Sequence, residues 1–304
     1  MLDAPDFQKT VVVNSTPSNA MPGPDAPDWQ ETVQVVPSPE KDAPDWQVVA
    51  VGPGGAPIGG GAGAFEQEVL AIVEAVGLGS LWPSWYMLTE CSGASGFSDN
   101  QSNDFGLYGG GLPTFRQPTI VPGSIFLSTE FVPGNSLYGA NTNGVVGIAN
   151  YTMMIAFKAT VAAGTPQGLC GLMDRFPGNG TRASMFLDAN GYLNGGQDKA
   201  GGAFSKVTGS TDLCDGNAHL VAQTFDSNTG LLIVYEDGTS IGTVAPGTTP
   251  SDLCYEFFGY GVTAGTGGVG SPWGFTGYLQ HFLCWEAAVL TAAQIASLYT
   301  ASGL

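Results

Sequence analysis

DGNAHLVAQTFDSNTGLLIVYEDG, residues 215–238, holds two apolar runs fenced by turn residues. HLVAQTFD (219–226) and the apolar part of GLLIVYEDG (230–238) each have the length of a strand, and Ser, Asn, Thr and Gly separate them. Valine, isoleucine, tyrosine and phenylalanine suit the pleated, half-buried surface of a sheet. Asp237–Gly238 then supplies the two positive-φ positions that a tight hairpin turn demands. The stretch reads as consecutive antiparallel strands.

The same pattern recurs on both sides. YTMMIAFKA (151–159), GLCGLMD (168–174), ASMFLD (183–188), LCYEFFGY (253–260) and FTGYLQHFLCW (275–285) are apolar runs separated by Gly, Asn and Asp turns. With 46 glycines and 20 prolines in 304 residues, the chain suits many short strands far better than a helical bundle. The expectation is an all-β antiparallel sandwich. One helix closes it: Thr291 and Gln294 form a capping box, Leu290 can staple onto Ile295, and Ile295, Leu298 and Tyr299 share a face. A second short helix is expected near residue 65, where Phe65, Val69, Ile72, Val73 and Val76 fall at helical spacing before Gly77.

Charge excludes whole classes of partner. The net charge is −18, with 8 Lys+Arg against 26 Asp+Glu, so phosphate backbones and anionic lipid would be repelled. No window approaches the roughly 20 apolar residues of a membrane-spanning helix. The start, MLDAPDFQK, lacks the basic and apolar regions of a secretory signal. Five widely spaced cysteines with no CxxC pair argue against both a disulfide framework and a zinc site, and they read as reduced, apolar residues.

The chain reads as three segments: an arm over 1–53, a glycine-rich hinge and short helix over 54–77, and the β domain over 78–304. The arm writes DAPDFQ at 3–8 and DAPDWQ at 25–30 and again at 42–47. Spacings of 22 and 17 residues rule out a stacked solenoid, which needs a fixed period. Each copy pairs a rigid proline with an aromatic: Pro5, Asp6 and Phe7; Pro27, Asp28 and Trp29; Pro44, Asp45 and Trp46. Burying one such ring gains about 4–6 kcal/mol at most, and ordering its neighbours costs about 1–2 kcal/mol per residue. One copy would bind weakly, and three on one tether firmly through effective concentration. The valine runs behind each copy suit strand addition to a partner's sheet edge. Repeated anchors fit repeated pockets, as a symmetric assembly supplies.

WYMLTECSGASGFSD (85–99), YTMMIAFKA, DGNAHLVAQTFD, GLLIVYEDG and LTAAQIASLY (290–299) together resemble the LamG-like, concanavalin A-like jelly rolls of bacteriophage tail proteins. The likeness covers about residues 82–304. It implies two packed antiparallel sheets of about six or seven strands, binding carbohydrate or protein through loops at an edge or rim. It further implies a virion protein made in the host cytoplasm, most simply a minor tail protein whose jelly roll engages a host surface glycan. The alternative is a purely architectural capsid or tail decoration protein. Family members that bind calcium use an Asp and an Asn on neighbouring loops; Asp174 and Asp198 could serve. No dense run of oxygen ligands is present, so no cofactor is expected.

Enzymatic chemistry finds little footing. The adjacent pair Glu236–Asp237 points to opposite faces of a strand, unlike the paired carboxylates of a glycosidase. No GxSxG elbow accompanies His219 or His281, and no phosphate loop is present. A sugar site needs a flat apolar ring beside fixed polar groups. GTGGVGSPWGF (265–275) brings Trp273, and GYLNGGQDKAGG (191–202) brings Tyr192, Asn194, Gln197 and Asp198. These five are the expected glycan-binding residues, with no catalytic residue and no metal ligand.

Overall fold

The computed structural model describes residues 63–75, 84–86, 107–109, 113–132, 135–138, 150–174, 183–198, 204–247, 254–261 and 273–304. The three arm repeats and the glycine-rich hinge lie outside the described residues. The chain divides into Met1–Gly63 and Ala64–Leu304, and every helix and strand described belongs to the second unit.

Two antiparallel sheets make this unit an all-β jelly-roll sandwich. The first sheet runs, edge to edge, Thr239–Val244, Leu231–Glu236, His219–Asp226, Asn150–Ala159, Gly277–Glu286, Ser128–Phe131 and Thr114–Gln117, with Ser84–Tyr86 also paired to Gly277–Glu286. The second runs Phe204–Asp212, Tyr192–Asp198, Ala183–Leu187, Gln167–Asp174, Cys254–Phe258, Asn135–Tyr138 and Leu107–Gly109. A two-stranded ribbon pairs Tyr260–Gly261 with Trp273–Gly274.

Each expected apolar run is a strand, within a residue or two at its ends. Among the strands that fall outside those runs, Tyr192–Asp198, Phe204–Asp212 and Thr239–Val244 do so because small and polar residues dominate them. Asp237 and Gly238 turn the hairpin with φ of 47° and 76°, as the turn chemistry requires.

Burial explains why the central strands read as unbroken apolar runs. Along Asn150–Ala159, Tyr151, Met153, Ile155 and Phe157 enter the core between the sheets, where Leu172, Met185, Leu193, Val234 and Phe282 meet them. Met154 and Ala156 face the other way, into a second core beneath the helices. That layer is made by Ala64–Ala75, burying Phe65, Val69 and Ile72, and by Ala292–Ser302, burying Ile295 and Leu298. A strand buried on both faces shows no alternation.

The closing helix carries the capping box: Thr291 accepts from the Gln294 backbone N–H, and the Gln294 side chain accepts from the Thr291 N–H. Gly303 ends it in the left-handed region at φ 74°. A bulge interrupts Gly277–Glu286 between Gln280 and Leu283, with His281 at φ 54°. The extra residue lets Leu279 and Phe282 both reach the inner core while Leu283 and Trp285 serve the helix side.

Candidate functional site

The two sheets treat their outer faces differently. Helices cover that of the first; among the described residues no helix packs on that of the second. Alternation along Tyr192–Asp198 sorts its side chains. Leu193 and Gln197 point into the core, while Tyr192 and Asn194 belong to the outer face. Two adjacent glycines let neighbours close in on both sides. A Cβ on Gly195 would stand 2.6 Å from Val234 Cγ2, and one on Gly196 would stand 2.3 Å from the Ser205 carbonyl oxygen.

Asn194 is the fixed point of that face. Lys206 Nζ and Thr208 Oγ1, two residues apart on the edge strand, each donate to its Oδ1 at 2.7 Å. Its own Nδ2 donates to the Tyr192 carbonyl at 2.9 Å. Asn194 is fully buried under these partners, whereas Lys206 and Thr208 are exposed. Lys206 Nζ also stands 5.7 Å from the Phe186 ring centroid, within cation–π range. Phe186 and Phe204 lie 6.1 Å apart, centroid to centroid. An ammonium, a hydroxyl and a half-exposed aromatic edge thus sit together, their geometry set by a buried carboxamide.

Of the five glycan-binding residues expected, the structure puts Tyr192 and Asn194 on this face. Gln197 is a correction: it is fully buried, and its Oε1 accepts from the Tyr151 hydroxyl at 2.9 Å, while Gln223 Nε2 donates to that hydroxyl at 2.8 Å. A residue on the core side of its strand does not reach a surface ligand. Asp198 pairs by its backbone with Phe204 at the strand's end, and Trp273 pairs with Gly261 in the separate ribbon. Among the described residues no three His, Cys, Asp or Glu side chains gather as a metal site. Lys206, Thr208, Phe186 and Phe204 are not legible as site residues in the sequence, since only the register of an inconspicuous strand pair brings them to Asn194.

Both histidines are built into the scaffold. His219 is clamped between two turns: Nδ1 lies 2.8 Å from Asp237 Oδ2 and Nε2 3.1 Å from Asp215 Oδ1, and the protonated ring donates to both carboxylates. Burial pulls its pKa down, but the hydrogen bonds and charges of Asp237 and Asp215 outweigh this and hold it above the ordinary value. Asp237 Oδ1 also accepts from the Leu220 backbone N–H at 3.0 Å, so one carboxylate fixes both ring and hairpin.

His281 is the opposite case. It is fully buried, with Nε2 2.6 Å from Ser124 Oγ, and burial pushes its pKa down to about 3. The Ser124 hydroxyl donates to Glu66 on the first helix and accepts from Gln280 Nε2 at 3.2 Å. A nucleophilic triad would put its carboxylate on the far nitrogen of the imidazole. Here the Glu66 carboxylate lies 3.5 Å from the same Nε2 that meets the serine. The trio is a tie between helix and sheet.

No known protein family matches the sequence, and no curated protein does. Several solved structures show a partial likeness to the chain. A native heptameric SAP-like pentraxin from Limulus polyphemus is 17% identical over 50% of this chain and 70% of its own, with a TM-score of 0.40. The CBM40 of the Ruminococcus gnavus IT-sialidase, bound to α2,3-sialyllactose, is 16% identical over 57% of this chain and 96% of its own, with a TM-score of 0.44. Domain 4 of an extracellular arabinanase from Geobacillus stearothermophilus, in complex with arabinotriose, is 15% identical over 66% and 92%, with a TM-score of 0.47.

Proposed function

We propose that the sandwich binds carbohydrate on the outer face of its second sheet, at Lys206 and Thr208 over Asn194 and beside Phe204. The observation that carries this is the carboxamide of Asn194, buried on an outer face and held by two exposed donors at 2.7 Å each. Sugar hydroxyls are recognised by polar groups that do not move, next to an apolar ring edge. Lys206 commits one N–H to Asn194 and keeps two for a ligand; the Thr208 oxygen donates inward and keeps its lone pairs outward.

We also propose that the protein works in a bacteriophage virion, as the sequence resemblance implies. The arm would anchor it to a symmetric tail or capsid through Phe7, Trp29 and Trp46, and the sandwich would meet a host surface glycan. A minor tail protein fits both halves of this reading.

The test is saturable binding of the fluorescently labelled full chain to bacterial cells and a cell-wall polysaccharide panel. Loss of binding in the Lys206→Ala, Thr208→Ala double variant, with unchanged circular dichroism and melting, supports the site. A folded wild-type chain that binds no polysaccharide refutes the carbohydrate reading and leaves the architectural one.

A further inference from the structure

We infer that the glycan taken by this face carries an anionic group, a carboxylate at the position Lys206 reaches; the inference rests on the carbohydrate reading above. The chain has 26 Asp+Glu and 8 Lys+Arg, so a lysine that needs only a counter-charge has many to choose from. Lys206 uses none. Its contacts are the neutral carboxamide of Asn194 and the ring of Phe186, and among the described residues no carboxylate pairs with it. Both contacts orient the ammonium without neutralising it, and the side chain is exposed. An oriented cation with no carboxylate partner among the described residues is suited to receive an anion.

The charge distribution in the sequence points the same way. Register places the strand ends Asp174, Ala183, Asp198 and Phe204 at one end of the second sheet. The connections between them, 175–182 and 199–203, contain by sequence Arg175, Arg182 and Lys199 and no Asp or Glu. With Lys206, half of the chain's 8 Lys+Arg belong to these two connections and the strand that comes after them. Short ligands escape the repulsion of the rest of the chain, because at 0.15 M salt charges beyond about 8 Å are screened.

The experiment uses the full chain and matched short ligands: oligogalacturonate and a glucuronate-terminated trisaccharide, each against its carboxyl-reduced counterpart, by calorimetry at 0.15 M salt. The expected result is about tenfold tighter binding of the carboxylate form, the scale of one charge-assisted hydrogen bond on a partly hydrated face. Lys206→Gln should erase the preference for the carboxylate member of each pair, and Lys206→Arg should keep it. Equal affinity for both members of a pair, or a preference that survives Lys206→Gln, overturns the inference while the carbohydrate reading stands. No binding to any member by a chain with native circular dichroism and melting defeats the carbohydrate reading itself, and this inference with it.

Discussion

The chain has two histidines, and the structure assigns them opposite titrations. His281 is buried against Phe65 and Phe126, with Glu66 the titratable group facing it among the described residues, and its pKa falls to about 3. In the unfolded chain it returns to 6.5. Between those values the unfolded state holds a proton that the folded state lacks, so stability falls as pH falls. A gap of about 3.5 at 1.36 kcal/mol per pKa unit withdraws roughly 3 kcal/mol by pH 4 and about 4 kcal/mol by pH 3. His219, raised by Asp237 and Asp215, has the other sign. Its contribution is complete below 6.5 and disappears as pH rises through its folded value.

Proton NMR can follow both imidazole Cε1–H signals, with His219→Asn assigning them. The expected record is one signal that titrates above pH 6.5 and one that stays flat from about pH 8 to below about 4. Urea unfolding at about pH 7 and about pH 4 then tests the energetics: His281→Asn, which tolerates the positive φ, should lose roughly 3 kcal/mol less than wild type across that interval. A His281 signal titrating near 6.5, or equal losses in both proteins, would refute this account of the buried imidazole.

Other substitutions probe the fold and the arm. Gly195→Ala places a Cβ 2.6 Å from Val234 Cγ2 and should cost about 1–3 kcal/mol in urea unfolding, as overpacking does. Gly238→Ala meets both a φ of 76° and Tyr299 Cβ at 2.9 Å, and should lower the melting temperature more than Gly216→Ala, whose added Cβ meets nothing within 4 Å. Thr291→Ala removes the cap of the closing helix and should cost about 1 kcal/mol. Trp29→Ala with Trp46→Ala should abolish co-sedimentation with the virion that the anchor reading proposes and leave the melting of the sandwich unchanged; association that survives the double change would sink that reading.

What the sequence shows and hides obeys one physical rule. Where a strand is buried on one or both faces by large apolar residues, as in YTMMIAFKA or HLVAQTFD, the residues announce it, and the hairpin and capping box announce themselves by local chemistry. Tyr192–Asp198 is equally a strand, but Val234 on one side and Phe204 with Lys206 on the other leave room only for Gly195 and Gly196. A strand that must be thin is written in glycine, and glycine reads as loop. Gln197 misleads for a related reason: its neighbour Gln223 and its partner Tyr151 are distant in sequence, and nothing local marks which side of the sheet it serves. The tie of Glu66, Ser124 and His281 is hidden in the same way, because its members come from three separate elements.

That rule also connects the fold to the proposed site. The first sheet buries its outer face under two helices and commits Met154, Leu283 and Trp285 to that layer. The second sheet carries at the corresponding positions Ser184, Phe186, Asn194, Lys206 and Thr208, a set too polar to hold a helix by hydrophobic burial. Such a face gains nothing from Asn194 as core, since a buried carboxamide contributes little net stability once its hydrogen bonds with water are counted. What it gains is position. Two exposed donors 2.7 Å from one buried oxygen cannot drift, and a fixed ammonium beside a fixed hydroxyl is the arrangement that sugar recognition requires.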